Sequence, residues 1–288
     1  MNYNTLHELM ELTESEKKEI WQIVMEKEAI SQDKEPTVIF EQMRTMYHAM
    51  RESMEQYDPN LKSLSKMSGG DGDKMKGYRK QGNPLAGVFL SEVMEKAIMI
   101  AESNACMKKI VAAPTAGSCG VIPAVLLTYQ KQKNVPEDKI VMGLFVAAGI
   151  GEVIAMNASI SGAVGGCQAE IGSASAMAAG SVAFLEGGDA ECILQAATLS
   201  LKNMLGLVCD PVAGLVEVPC IKRNAAGAVN AVTSAQMALA GIKSIIPADE
   251  VIGAMAEIGR DMPTCLKETG TGGLAVTRAA KKIAETLV

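Results

Sequence analysis

From Leu85 onward the sequence is a succession of apolar segments, about 12–20 residues each, broken by Gly, Pro or Asn and without period-2 alternation. That texture restricts the chain to an all-α fold: a compact multi-helix domain of buried, small-residue-rich helices joined by Gly/Pro-rich functional loops. The breaks predict helices near 85–107, 120–133, 137–157, 168–186, 189–205, 225–241, 248–260 and 271–287. Many of these segments are apolar on most faces, so they are expected to be covered on several sides. IVAA and GLVEV are short β-like runs, but each adjoins a Gly/Pro break and reads as extended loop. Aromatic residues are only 3% of the chain, against 27 Gly and 19 Met. Such a core relies on close backbone approach and flexible thioethers to fill gaps.

Residues 1–57 are more conventional and read as an N-terminal helical segment. Thr13 with Glu16 gives a capping-box pattern ahead of Ile20, Ile23 and Val24. A second amphipathic pattern, Val38 to Met54, follows Pro36. Residues 57–84 read as a long Gly-, Lys- and Asp-rich loop, a linker or a functional loop. The expected domains are therefore 1–57 and 58–288, the second carrying the chemistry. A net charge of −6 argues against a nucleic-acid surface. The mixed-charge start has no secretory apolar region, and the longest uncharged run, 224–242, contains Asn, Thr, Ser and Gln. No leader and no membrane span are expected, so a soluble cytoplasmic protein is. Thiols stay reduced there, and seven cysteines is an odd count, so no disulfide framework is expected.

Four stretches are too polar and too broken for plain helix: SGGDGDK (68–74), APTAGSCG (113–120), NASISGAVGGCQAEIG (157–172) and GLVCDPVAGLVEVPCIKRN (206–224). Backbone amides and hydroxyls at a helix start can hold a carboxylate. APTAGSCG leads into VIPAVLLTYQ, which makes Thr115, Gly117 and Ser118 candidates for such a cradle; capping a buried helix is the commoner use of these residues. SGGDGDK lacks the G-K-[ST] of a phosphate loop and reads as a mobile loop. The only histidines are His7 and His48, so no imidazole comes from the rest of the chain.

Cys106 and Cys192 lie in helical patterns and read as packing. Cys265 stands near a charged segment. Cys119 opens a helix, where a thiol can be acidified, but has no histidine beside it. Cys167, Cys209 and Cys220 are each flanked by Gly or Pro, without a C-x-x-C zinc spacing. Three thiolates can hold three irons of a [4Fe–4S] cluster and leave the fourth open. From spacing alone, three packing cysteines read equally well.

APTAGSCGVIPAVL, NASISGAVGGCQAEIGSASAMAAG and GLVCDPVAGLVEVPCIKRNA together resemble the iron–sulfur-dependent L-serine dehydratases (L-serine ammonia-lyases), specifically the separate alpha chain of the two-subunit type. The likeness runs from about Ser65 to the C-terminus. It implies a [4Fe–4S] cluster on Cys167, Cys209 and Cys220, with the 206–224 segment as a buried loop delivering two ligands. It implies elimination of water from serine at the open iron, then hydrolysis to pyruvate and ammonia, without pyridoxal phosphate. The 113–120 loop would hold the substrate carboxylate, with 68–74 as a lid and Ser68, Asp71 and Lys74 as its possible polar contacts. The family's beta domain carries a Ser-Ser-Ser-His-Thr motif that this chain lacks, so a beta chain is the expected partner, with further oligomerisation open. Some single-chain members end in a cysteine that plugs the open iron; this chain ends in ETLV, and nothing marks Cys265 as that plug. The alternatives are the same elimination on L-threonine or L-cysteine, and a non-catalytic cluster-bearing scaffold.

Overall fold

The structure is a computed structural model, and it describes residues 2–287. Among these residues the regular elements are helices: α1 (Leu6–Glu16), α2 (Ile20–Gln32), α3 (Pro36–Glu55), α4 (Asp71–Lys80), α5 (Gly87–Ala105), α6 (Val121–Lys133), α7 (Glu137–Asn157), α8 (Gly162–Gly165), α9 (Ser173–Leu185), α10 (Ala190–Lys202), α11 (Cys220–Leu239), α12 (Ala248–Asp261) and α13 (Arg278–Glu285). The all-α expectation holds, and neither IVAA nor GLVEV forms a strand.

α9 is the central post. Ser173 through Phe184 are all buried, and α6, α7, α10 and α11 pack around it. Its small residues let the neighbours close in: a side chain at Gly180 would collide with Ile150 of α7. Close packing strands polar atoms, and the core answers with a shared node. Ser175 Oγ donates to the Gly227 carbonyl at 2.7 Å and meets Ser200 Oγ at 2.8 Å, while Asn230 Nδ2 donates to Ser175 Oγ at 2.9 Å and to the Ser200 carbonyl at 2.9 Å. Three helices are thereby tied at one buried point. α7 is long and apolar enough to cross a membrane, but 67% of its apolar window is buried inside the fold.

The N-terminal helices lie against α7. Ile20, Ile23 and Val24 are buried there, and Glu152 accepts from Tyr3 Oη and Lys27 Nζ, each at 2.7 Å. Two local readings are corrected. Thr13 and Glu16 end α1; the capping box that opens α2 is Glu19 with Gln22. The 57–84 stretch is not all loop, because α4 occupies its middle. Its composition is poor for a helix. A remote carboxylate makes up the difference: the amides of Gly69, Asp71 and Gly72 donate to Glu102 of α5 at 3.2, 2.9 and 3.1 Å. Gly69 and Gly70, at φ 123° and 84°, aim these amides inward. SGGDGDK is thus an anion cradle that the chain's own Glu102 fills.

At the other end, the predicted 271–287 helix is shorter: a turn over Gly273–Val276 precedes α13. α11 begins at Cys220, five residues before the predicted start, so Cys220 is a helix residue and not part of a loop.

Candidate functional site

Two cysteines from distant segments meet beside a carboxylate. Ligand atoms of Cys167, Glu170 and Cys209 all lie within 4.8 Å of one another, and all three residues are buried. Cys220 is not one of that trio; it is buried, and the charge of Cys167 acts on it. All seven cysteines are unpaired.

Each sulfur is held by a separate device. Cys167 precedes one π-helical turn, Gln168–Gly172, that feeds into α9. Gly166 before it has φ 75°, and a side chain there would meet Met262 Sδ at 2.7 Å and the Leu207 carbonyl at 2.9 Å. Gln168 pins the turn, donating to the Met255 carbonyl at 3.0 Å and accepting from the Gly206 amide at 2.9 Å. Cys209 lies in an extended stretch that pairs with the C-terminal segment: its amide donates to the Leu266 carbonyl, and its carbonyl accepts from the Glu268 amide, both at 2.8 Å. Cys220 begins α11.

The next residues of α11 gather the remaining segments. Lys222 Nζ donates to Asp71 Oδ2 at 2.6 Å, which docks the start of α4. Arg223 donates to the Val208 carbonyl at 2.8 Å and to Asp210 at 2.9 Å. Asn224 Nδ2 donates to the carbonyls of Gly117 at 2.7 Å and Cys220 at 3.0 Å, and its Oδ1 accepts from the Gly120 amide at 2.9 Å. Between the two ligand-bearing stretches, buried Glu217 accepts from Ser63 Oγ at 2.6 Å and Ser65 Oγ at 2.8 Å.

The charges are uneven. The hydrogen bond from Cys209, together with the nearby Arg223 guanidinium, holds the Cys167 thiol below its ordinary value despite burial. Cys209 is pushed far up by that partnership and by burial. Burial, and then the charge of Cys167, push Cys220 up to about 12. Burial also raises Glu170, against a hydrogen bond from Thr115.

The family profile described as "Serine dehydratase alpha chain" matches residues 15–275. The chain belongs to this family. It is 45% identical over 281 residues to the probable L-serine dehydratase, alpha chain, of Bacillus subtilis, covering 98% of this chain and 94% of that relative. It is 50% identical over 206 residues to the L-serine dehydratase, alpha chain, of Peptoniphilus asaccharolyticus, covering 72% and 70%. The L-serine dehydratase of Helicobacter pylori is 38% identical over 284 residues, 96% of this chain but 62% of that longer relative.

Within this member of the family, the residues singled out from sequence divide into those at the trio and those beside it. Thr115 Oγ1 donates to Glu170 Oε1 at 2.8 Å, and a side chain at Gly117 would meet that carboxylate at 3.1 Å. Ser118 is fully buried and closes a capping box with Thr115. Thr115 therefore already serves a carboxylate, that of Glu170. Asp71 sits between Lys222 and Lys74, which hold it at about 2. Asp71 in turn raises Lys74, an exposed side chain that stays protonated and offers no base. Ser68 is buried with an unpartnered hydroxyl. Cys119 is not an acidified thiol, because burial pushes it up to about 12. Cys265 is exposed.

Sequence reading missed Glu170, Glu217, Arg223 and Asn224. The cue available was polar residues within otherwise apolar, Gly-flanked stretches. The donor set suits a thiophilic metal: soft sulfurs, buried, with a guanidinium nearby to offset thiolate charge. Gly162 leaves room for one, since a side chain there would meet Glu170 Oε2 at 2.8 Å and Cys209 Sγ at 3.2 Å.

Proposed function

We propose that this chain is the cluster-bearing alpha chain of an iron–sulfur-dependent enzyme that deaminates L-serine to pyruvate and ammonia. Cys167, Cys209 and Cys220 hold a [4Fe–4S] cluster, residues 58–288 form the catalytic part, and residues 1–57 are an added helical segment. The observation that carries the reading is the meeting of buried Cys167 and Cys209, 42 positions apart, with Cys220 within reach of the Cys167 charge, in a serine dehydratase alpha chain. When bound, the cluster supplies a Lewis-acidic iron free of cysteine, which helps the hydroxyl of serine leave as hydroxide.

The chain's own residues supply position. Substrate lies against the turn at Thr115, Gly117 and Ser118, which Asn224 holds to the Cys220 helix. Glu170, steadied by Thr115, takes the ammonium end of serine. The start of α4, with Ser68, Asp71 and Lys74, borders the same helix through Lys222. Loss of the α-proton and hydroxide gives aminoacrylate, whose tautomer hydrolyses to pyruvate and ammonia. A beta chain completes the pocket, and the assembly is cytoplasmic.

The test is anaerobic reconstitution with iron and sulfide, with and without Cys209→Ser. The expected result is four irons per wild-type chain, sharply fewer in the variant, and serine-dependent change in the cluster spectrum of the alpha–beta pair. Wild-type iron content in the variant would sink the ligand assignment. A cluster spectrum indifferent to serine would favour a scaffold, and faster turnover of L-threonine or L-cysteine would reassign the substrate.

A further inference from the structure

We propose that Arg223 is a positioning residue for the sulfur site: it fixes Cys209 against the helix that carries Cys220 and sets a positive charge beside Cys167. This rests on the iron–sulfur reading above.

The geometry is that of a clamp. Arg223 lies on the first turn of α11, three residues after Cys220. Nη1 donates to the Val208 carbonyl at 2.8 Å and Nη2 to Asp210 Oδ1 at 2.9 Å. Those partners are the residues immediately before and after Cys209, so the fork brackets that cysteine on both sides. Asp210 is fixed from the opposite direction by the Leu274 amide at 2.8 Å. The Arg223 side chain is only 17% exposed, and its guanidinium lies in the neighbourhood of Cys167. One side chain thus serves all three cysteine-bearing segments: it grows from the third, grips the second and faces the first.

The residue type matters. A lysine would bring the charge but not the rigid fork that reaches two acceptors at once. A glutamine would bring neither. Outer-shell partners of this kind commonly govern metal affinity by about 10–100-fold. A cation beside thiolate ligands also favours the more negative, reduced form of a cluster, so its removal moves the reduction potential downward.

The experiment uses the full-length chain reconstituted anaerobically with iron and sulfide, as wild type, Arg223→Gln and Arg223→Lys. Folding of each iron-free chain is checked by thermal unfolding. The readouts are the rate at which a chelator strips iron and the midpoint potential from a spectroscopic redox titration. The expected outcome is iron loss about 10–100-fold faster in Arg223→Gln, with a more negative potential. Arg223→Lys is expected to lose iron faster than wild type while staying nearer its potential. A merely structural role would leave the potential where it was. Wild-type stripping rate and potential in Arg223→Gln, beside a wild type that loads normally, overturns this inference alone. If Arg223→Gln does not fold, a wild-type stripping rate in Arg223→Lys does the same. A wild-type chain that takes up no cluster overturns this inference and the functional reading together.

Discussion

Asn224 shows how much one buried amide can organise. It is 1% exposed, and it satisfies two carbonyls and an amide drawn from the Thr115–Gly120 turn and the start of α11. Asn224→Ala strands the Gly120 amide and the Gly117 carbonyl, at a cost of about 2–5 kcal/mol. A markedly lower denaturation midpoint is the expected result, and a midpoint within error of wild type would show that the turn is held elsewhere. Cys119 marks the opposite case, a thiol in a suggestive sequence context that burial makes inert. With its pKa pushed up to about 12, it forms almost no thiolate at pH 8. Alkylation of the native chain at that pH is expected to label exposed Cys265 and spare Cys119; mass mapping of rapid label on Cys119 would contradict this. The sequence exposed the three candidate ligands because Gly and Pro interrupt the helices around them. It did not expose Arg223 or Asn224, since in "CIKRNAAG" they look like ordinary polar residues of a helix surface. What distinguishes them is a partner 13 to 107 positions away, and local periodicity does not register such partners.

At the scale of elements, α5 was legible as a helix but not as a carrier of buried charge. Glu92, Glu95 and Lys96 are at most 6% exposed. Glu92 accepts from Lys131 and Gln132, each at 2.7 Å, and pairs with Lys96 at 3.2 Å. Burial disfavours its charge, but these partners prevail and hold the carboxyl at about 2, below its ordinary 4.5. A depressed carboxylate contributes stability above its unfolded pKa and loses it as pH falls through the folded one. Unfolding stability is therefore expected to drop between about pH 4.5 and 2, by on the order of 3 kcal/mol from this group. Glu92→Gln should flatten that part of the profile while costing about 3–5 kcal/mol at neutral pH, because Lys96 is left buried beside a neutral amide. Chemical denaturation across pH checks both effects, and an unchanged acid limb in the variant would assign the loss to other groups. α4 was illegible for a related reason: its stabilising anion, Glu102, sits on another helix.

At the scale of the whole molecule, the small-residue core was readable and proved to be the framework. α9 brings α7, α10 and α11 together, and Cys167, Glu170 and Cys209 meet on the connections between them. The proposed dependence on a second chain belongs to this scale. The chain alone, loaded anaerobically, is expected to carry a cluster yet deaminate serine only when mixed with its beta partner; full turnover by the chain alone would remove the need for that partner. The pairing of Cys209 with Leu266 and Glu268 carries a consequence for biosynthesis. A nascent chain still lacking those residues holds the segment bearing this thiol only by its flanks, at Leu207, Val208 and Asp210, and leaves the backbone of Cys209 itself unpaired. Insertion of inorganic cargo therefore belongs after release from the ribosome, and premature termination near residue 260 should yield a protein that cannot be charged, however well its helices assemble.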